Sequence, residues 1–246
     1  MVYPPRTVPK VVLGSVCAIL PRCYNTTRAT RWLPAVRGNQ GLGRERAVGD
    51  MPRVAEEALV RKMRTEIDQH LHLFEQMRAE LLPGVLAAGR LLWKTLAGGG
   101  KILAAGNGGS AADAQHFAAE LVGRYLRERQ AQAAIALTTD TSILTAVGND
   151  YGFDQIFSRQ VAGLGRSGDT FLAISTSGNS RNLLVALQTA REKGLTTLAL
   201  LGKGGGAMKD QADHALVVPS GDTPRIQEGH QWIWHTWCDI IDSLCG

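Results

Sequence analysis

Aromatic residues are scarce in this chain, at 6% of 246 residues. Cysteine is scarcer still, with Cys17, Cys23, Cys238 and Cys245. Their spacing matches neither a zinc knuckle nor a redox pair, so they read as reduced thiols and point to a cytoplasmic protein. No apolar run of about 18 residues occurs, which argues against any membrane-spanning helix. The pattern G-x-x-x-x-G-K-[ST] is also missing, so a nucleotide P-loop is not indicated. Most of the chain lacks an excess of charge as well. The formal charge of +5 comes from residues 1–50, which hold eight Lys/Arg and two Asp/Glu, while residues 51–246 hold 19 basic and 20 acidic residues. A nearly neutral body argues against a nucleic-acid-binding face.

What the chain does have is glycine, at 28 residues, within a composition that is 44% hydrophobic. That suits one globular domain with tight strand-to-helix turns and an appendage. Residues 1–50 are the appendage. They carry five prolines and seven basic residues before the first acid at Glu45. The stretch VVLGSVCAIL (11–20) has the length of a signal-peptide core, and an Arg-rich, acid-poor start resembles a transit peptide. No small-x-small cleavage site follows. The expectation is a basic, disordered extension, or an upstream start with Met51 as the natural beginning. The folded domain is expected over residues 51–246.

From Val54 the pattern turns helical. Ala55, Leu59, Met63, Ile67, Leu71 and Phe74 recur every three or four residues. Pro83 and Gly84 punctuate, and a second helix is expected over 84–97, ending at Gly98–Gly100. The two make an N-terminal helical hairpin. Strands then alternate with helices. Strands are expected at 101–106, 133–138, 169–175, 196–202 and 214–219. Helices are expected at 110–125, near 140–148, and at 151–164, 180–194, 206–212 and from Pro224 onward. This alternation predicts a three-layer α/β fold with a five-stranded parallel sheet flanked by helices. In such sheets ligands bind at the carboxyl ends of the strands.

Two strand-end loops stand out. GNGGS (106–110) with Ala111 satisfies the relaxed dinucleotide pattern, but no acidic residue follows at the right distance and no room remains for a second domain. STSGNS (175–180) places the hydroxyls of Ser175, Thr176, Ser177 and Ser180 directly before a helix. Unpaired N–H groups and the positive end of the helix dipole favour an anion there. Hydroxyls with amides suit a phosphate monoester; the plainer alternative is a serine cap on a glycine turn.

The pair GNGGS…STSGNS is similar to the sugar isomerase (SIS) domain. Within it, GNGGSAADAQHFAAELVGRY (106–125), GNDYGFDQIFSRQ (148–160) and RIQEGH (225–230) resemble the phosphoheptose isomerases, over about residues 55–246. The resemblance implies an aldose–ketose isomerase that converts sedoheptulose 7-phosphate to D-glycero-D-manno-heptose 7-phosphate through an enediolate. Its product would serve heptose biosynthesis for lipopolysaccharide or other glycoconjugates.

Such chemistry needs a base, an acid and a stabiliser of the enediolate. His116 and Glu120 share one helical face, at spacing i,i+4. Gln227 and His235, eight apart on the last helix, point about 80° away from one another. By helical geometry they converge only on a site between those directions, or on one shared with a neighbouring subunit. The resemblance assigns His116, Glu120, Gln227 and His235 to one zinc ion per subunit, and Glu120 and His235 also to acid/base catalysis. An amide is an unusual ligand for zinc. The resemblance assigns the substrate to Asn107, Gly108, Gly109, Ser110, Asn149, Asp150, Ser175, Thr176, Ser177, Ser180 and Gln227. It further implies a homotetramer with active sites between subunits. One departure is Pro224, where some members carry Asp. A rival resemblance is to the DnaA initiator-associating protein, a non-catalytic adaptor, seen in SAADAQHFAA, ILTAV and the Cys-Asp-Ile-Ile-Asp ending. Adaptor-type chains lack the carboxylate and imidazole that stand here as Glu120 and His235.

Overall fold

Alternating strand residues feed two separate helical layers, and that alternation decides the architecture. The computed structural model describes residues 52–245. The basic extension, with Cys17 and Cys23, lies outside the described residues. Five strands form one parallel sheet: β1 (Ile102–Gly106), β2 (Ala134–Ala136), β3 (Thr170–Ser175), β4 (Thr196–Leu201) and β5 (His214–Val217). Their order is β2-β1-β3-β4-β5. Side chains at Ile102, Ala104, Leu172, Ile174, Leu198, Leu200 and Leu216 enter one core. Their neighbours Leu103, Ala105, Phe171, Ala173, Ala199 and Leu201 enter the other. A period of two with both faces apolar requires helices on both sides.

The first core is covered by α1 (Arg53–Glu80), α2 (Leu82–Ala97), α3 (Gly109–Val122) and α8 (Thr223–Leu244). The second is covered chiefly by α5 (Ser158–Leu164), α6 (Arg181–Glu192) and α7 (Met208–Gln211), with α4 (Thr141–Tyr151) packed at its margin. Helix α8 lies deepest. Trp234 and Trp237 are fully buried, and Trp237 Nε1 donates to the Val85 carbonyl at 3.0 Å. Truncating a tryptophan in such a position to alanine costs about 3–5 kcal/mol. The two N-terminal helices join at the single residue Leu81, and both pack on α8.

Three local outcomes differ from the sequence expectation. The helix expected over 151–164 is broken at Gly152, whose φ of 89° ends α4; a short 3-10 turn (Phe153–Gln155) precedes α5. Asn149 and Asp150 therefore occupy the last turn of α4. The second strand is shorter than expected, three residues, because it is an edge strand with only Ala136 buried. The stripe Leu59, Met63, Ile67 and Leu71 on α1 faces outward, with Met63, Ile67 and Leu71 each more than half exposed. Leu73 and Met77 attach that helix to the body instead.

Candidate active site

The strand order reverses between β1 and β3: β2 lies on one side of β1, and β3 to β5 run out on the other. A ligand crevice opens at such a switch point, outside the carboxyl ends of the strands. The two loops singled out in the sequence are the ones that leave β1 and β3 there. They are tied together by Asn107 and Asn182. Each amide donates to the other's oxygen, at 3.0 and 2.9 Å.

Each glycine of the first loop has its own reason. A Cβ at Gly106 would collide with the Ser110 carbonyl. Gly108 caps α3 with φ 56°, a conformation that favours glycine. Gly109 lies under the Gln227 amide, and a Cβ there would collide with its Nε2. Gln227 and the start of α3 are therefore neighbours within one chain. Ser110 is buried at the start of α3.

The second loop is held by its own hydroxyls. Ser175 Oγ lies 3.2 Å from Ser180 Oγ and 3.4 Å from Ser177 Oγ. It also accepts from the Gly178 amide at 3.1 Å. Ser180 is the N-cap residue of α6, yet its side chain makes no capping bond to that helix, so its hydroxyl is turned to the loop. Gly178, at φ 64°, would collide with the Gly205 carbonyl if it carried a Cβ. Asn179 accepts from the Ala207 amide at 3.0 Å. The glycine-rich turn after β4 thus backs the serine loop. Thr176 and Ser177 are half-buried at its rim. Asn149 donates to Asp150 at 2.8 Å in an exposed position.

The third group lies further along the same helices. His116 Nε2 and Glu120 Oε1 are 2.9 Å apart. His235 joins them from α8, with its ring at 5.4 Å from that of His116 and nearly perpendicular to it. One ligand atom from each of His116, Glu120 and His235 falls within 4.8 Å of the others. Tyr125 stacks on His235 at 5.4 Å and 22°, and Trp234 leans on it at 3.9 Å. Burial holds the His235 imidazole below the ordinary histidine value. The His116 charge lowers it further, against a partial opposite pull from Glu120. Its neutral form is therefore favoured. Three of the four residues expected at a metal are brought together in one chain. Gln227 sits at the start of α3 instead, and helical rise puts His116 about 10 Å further along the axis.

A family model for the SIS domain matches residues 67–202. Phosphoheptose isomerase from Citrifermentans bemidjiense is 54% identical over 181 residues, covering 74% of this chain and 94% of the relative. Phosphoheptose isomerase 1 from Campylobacter jejuni is 61% identical over 166 residues, covering 67% and 89%. The chain belongs to the phosphoheptose isomerase family of SIS domains. The solved phosphoheptose isomerase of Neisseria gonorrhoeae superimposes on it with a TM-score of 0.72 at 46% identity, covering 75% of this chain and 99% of that one. That of Francisella tularensis gives 0.73 at 40%, covering 75% and 98%.

Sequence reasoning did not find several residues of this SIS-domain site. Asn182, which locks the two loops, is nearly inaccessible, and its only signal was its place in the first turn after Ser180. Trp234, which walls His235, carries no motif, and Tyr125, which stacks on it, ends the segment 106–125 without having been given a role. Asp113 lies one turn before His116. Its Oδ2 and the Trp234 indole Nε1 are both buried, and neither has a hydrogen bond of full geometry among the described residues. Burial pushes the Asp113 carboxyl up to about 6, with Trp234 and His116 pulling the other way.

Proposed function

We propose that this chain isomerises sedoheptulose 7-phosphate to D-glycero-D-manno-heptose 7-phosphate, feeding heptose biosynthesis for lipopolysaccharide or other glycoconjugates. The observation that carries the reading is the convergence of His116, Glu120 and His235 from two helices, in a chain whose relatives are named isomerases. The phosphate sits against Ser175, Thr176, Ser177 and Ser180 and the first amides of α6. The sugar extends over Asn107, Gly108, Gly109 and Ser110, with the Gln227 amide above Gly109 and Asn149 and Asp150 at the margin. Glu120 removes the proton from C1 of the ketose and returns it to C2. His235, neutral at rest, takes the proton of the C1 hydroxyl and gives it to the C2 oxygen. The enediolate lies between these steps, and no atom is gained or lost.

His116, Glu120 and His235 offer two imidazoles and a carboxylate, the donor set of open catalytic zinc sites. These three fit the expected ion, whereas Gln227, which lies against Gly109, stands apart from them within one chain. A zinc ion bound there would supply Lewis-acid stabilisation of negative charge on oxygen. The assembly is a homotetramer with active sites between subunits. The outward stripe of α1 supports it, as does an apolar groove of about 520 Å³ lined by Leu71, Phe74, Met77, Leu82 and Trp232. The protein works in the cytoplasm. Cys238 and Cys245 are free thiols, and no helix among the described residues is long and apolar enough to cross a membrane.

The test is incubation of the purified protein with sedoheptulose 7-phosphate and detection of aldose product. Activity that persisted unchanged in both Glu120→Gln and His235→Ala would sink the proposed roles. No product, together with tight binding to a replication initiator, would favour the adaptor.

A further inference from the structure

The connection from α3 to β2, residues 123–133, has no regular structure, yet it carries Tyr125, whose ring stacks on His235. It is held from beneath by one carboxylate. Asp242, on α8, has a side chain with no exposure. Its Oδ2 accepts from the amides of Leu126 and Arg127, each at 3.0 Å. Its Oδ1 accepts from Arg129 Nε at 2.6 Å. The Arg129 side chain is 4% exposed. Its remaining fork donates to the Glu120 carbonyl at 2.8 Å and the Leu121 carbonyl at 2.8 Å. Those are carbonyls of the last turn of α3, which helical bonding leaves without partners.

This is a costly device for stability alone. A buried ion pair seldom outperforms apolar packing of the same volume. What it adds is direction, because a guanidinium fork and a carboxylate accept partners only at set angles. The partners here are specific. One is the backbone of Glu120 itself. Another is the segment carrying Tyr125, whose ring stacks on His235. The carboxylate is anchored seven residues after His235, close to two turns along the same face of α8.

We propose that Arg129 and Asp242 form a positioning clamp that sets the distance and orientation between Glu120 and His235. It does so by tying the last turn of α3 to α8 and pressing Tyr125 onto the imidazole. The inference rests on the acid/base roles given above. Neither residue touches substrate; both act through the groups they hold.

Arg129→Lys tests it, because lysine keeps a cation for Asp242 but cannot reach both carbonyls. With sedoheptulose 7-phosphate, kcat should fall about tenfold or more while KM stays within about threefold, since a small misplacement of catalytic groups penalises turnover. The ring-proton NMR signal of His235 should move toward its position in Tyr125→Leu, where the stacking ring is gone. That signal needs no substrate. A wild-type protein without isomerase activity would therefore defeat the functional reading while leaving the clamp open to this measurement. A folded Arg129→Lys with wild-type kcat, or with the His235 signal in place, overturns the proposal. Should Arg129→Lys not fold, Asp242→Asn is read in the same two ways. Failure of both to fold would reduce the pair to a stability element and overturn it too.

Discussion

The serine loop and the cluster of His116, Glu120 and His235 reach their geometry by opposite routes. The loop is six consecutive residues, held by its own hydroxyls and braced by the glycine turn after β4. The cluster joins residues from two helices that are more than 100 positions apart in sequence, and it depends on how those helices lie against one another. A local device tolerates small shifts elsewhere in the fold. A device split between helices is sensitive to any change in their packing. Binding and turnover should therefore be separable by mutation.

The largest separation is expected from Glu120→Gln. Loss of a general base lowers kcat by about 10²–10⁴-fold. Affinity for the sugar phosphate, measured by calorimetry, should change little, because the serine loop is untouched. Weakened binding of the same size would show that the two regions are not independent.

The next effect concerns His230, which anchors α8 to the sheet. It is fully buried, and its Nε2 donates to the Leu201 carbonyl at 3.0 Å. Burial pushes its imidazole down to about 4, against an opposing pull from that carbonyl. The unfolded chain takes up this proton near 6.5 and the folded chain only near 4. Stability from this residue is thus full above 6.5 and is lost as pH falls, by about 3 kcal/mol at pH 4. Asp113 runs the other way, because its carboxyl is raised in the folded state and gains stability as pH falls below about 6. Urea unfolding of wild type and His230→Gln at pH 7 and 4.5 isolates the histidine. The variant should lose less stability on acidification than the wild type does. Equal losses would refute the assignment.

Gly178→Ala strikes the loop alone. Its positive φ and the facing Gly205 carbonyl leave no room for a Cβ. KM for the sugar phosphate should rise about tenfold or more, with kcat falling much less. The smallest effect is expected from Ser180→Ala. Removing one hydroxyl from a phosphate site lowers affinity by roughly 1–2 kcal/mol, or about tenfold. A fall in kcat without loss of affinity in either variant would blur the division between the two regions.

Much of this was legible along the chain. The five strands and most helices follow from apolar runs separated by glycine, and the serine loop is readable because all its parts are contiguous. Candidate ligands His116 and Glu120 were visible as an i,i+4 pair. The resemblance added Gln227 and His235, which helical angles alone left divergent. The outward stripe on α1 shows the limit of periodicity: it marks an amphipathic face without saying what covers it. Gly152 shows another: the helix expected to end near 148 runs on to Tyr151, and the one expected over 151–164 forms only beyond this glycine of positive φ.

By itself, then, the amino-acid order determined the elements, the parallel α/β class and the serine loop. Each of these depends on residues close together in the chain, through strand alternation, helix periodicity and the exposed amides at a helix start. Only the tertiary structure decided that Gln227 rests on Gly109, that Asn107 and Asn182 lock the two loops, and that Arg129 and Asp242 bind the last turn of α3 to α8. Those contacts join segments far apart in sequence, and their partners are set by how the helices pack on the sheet.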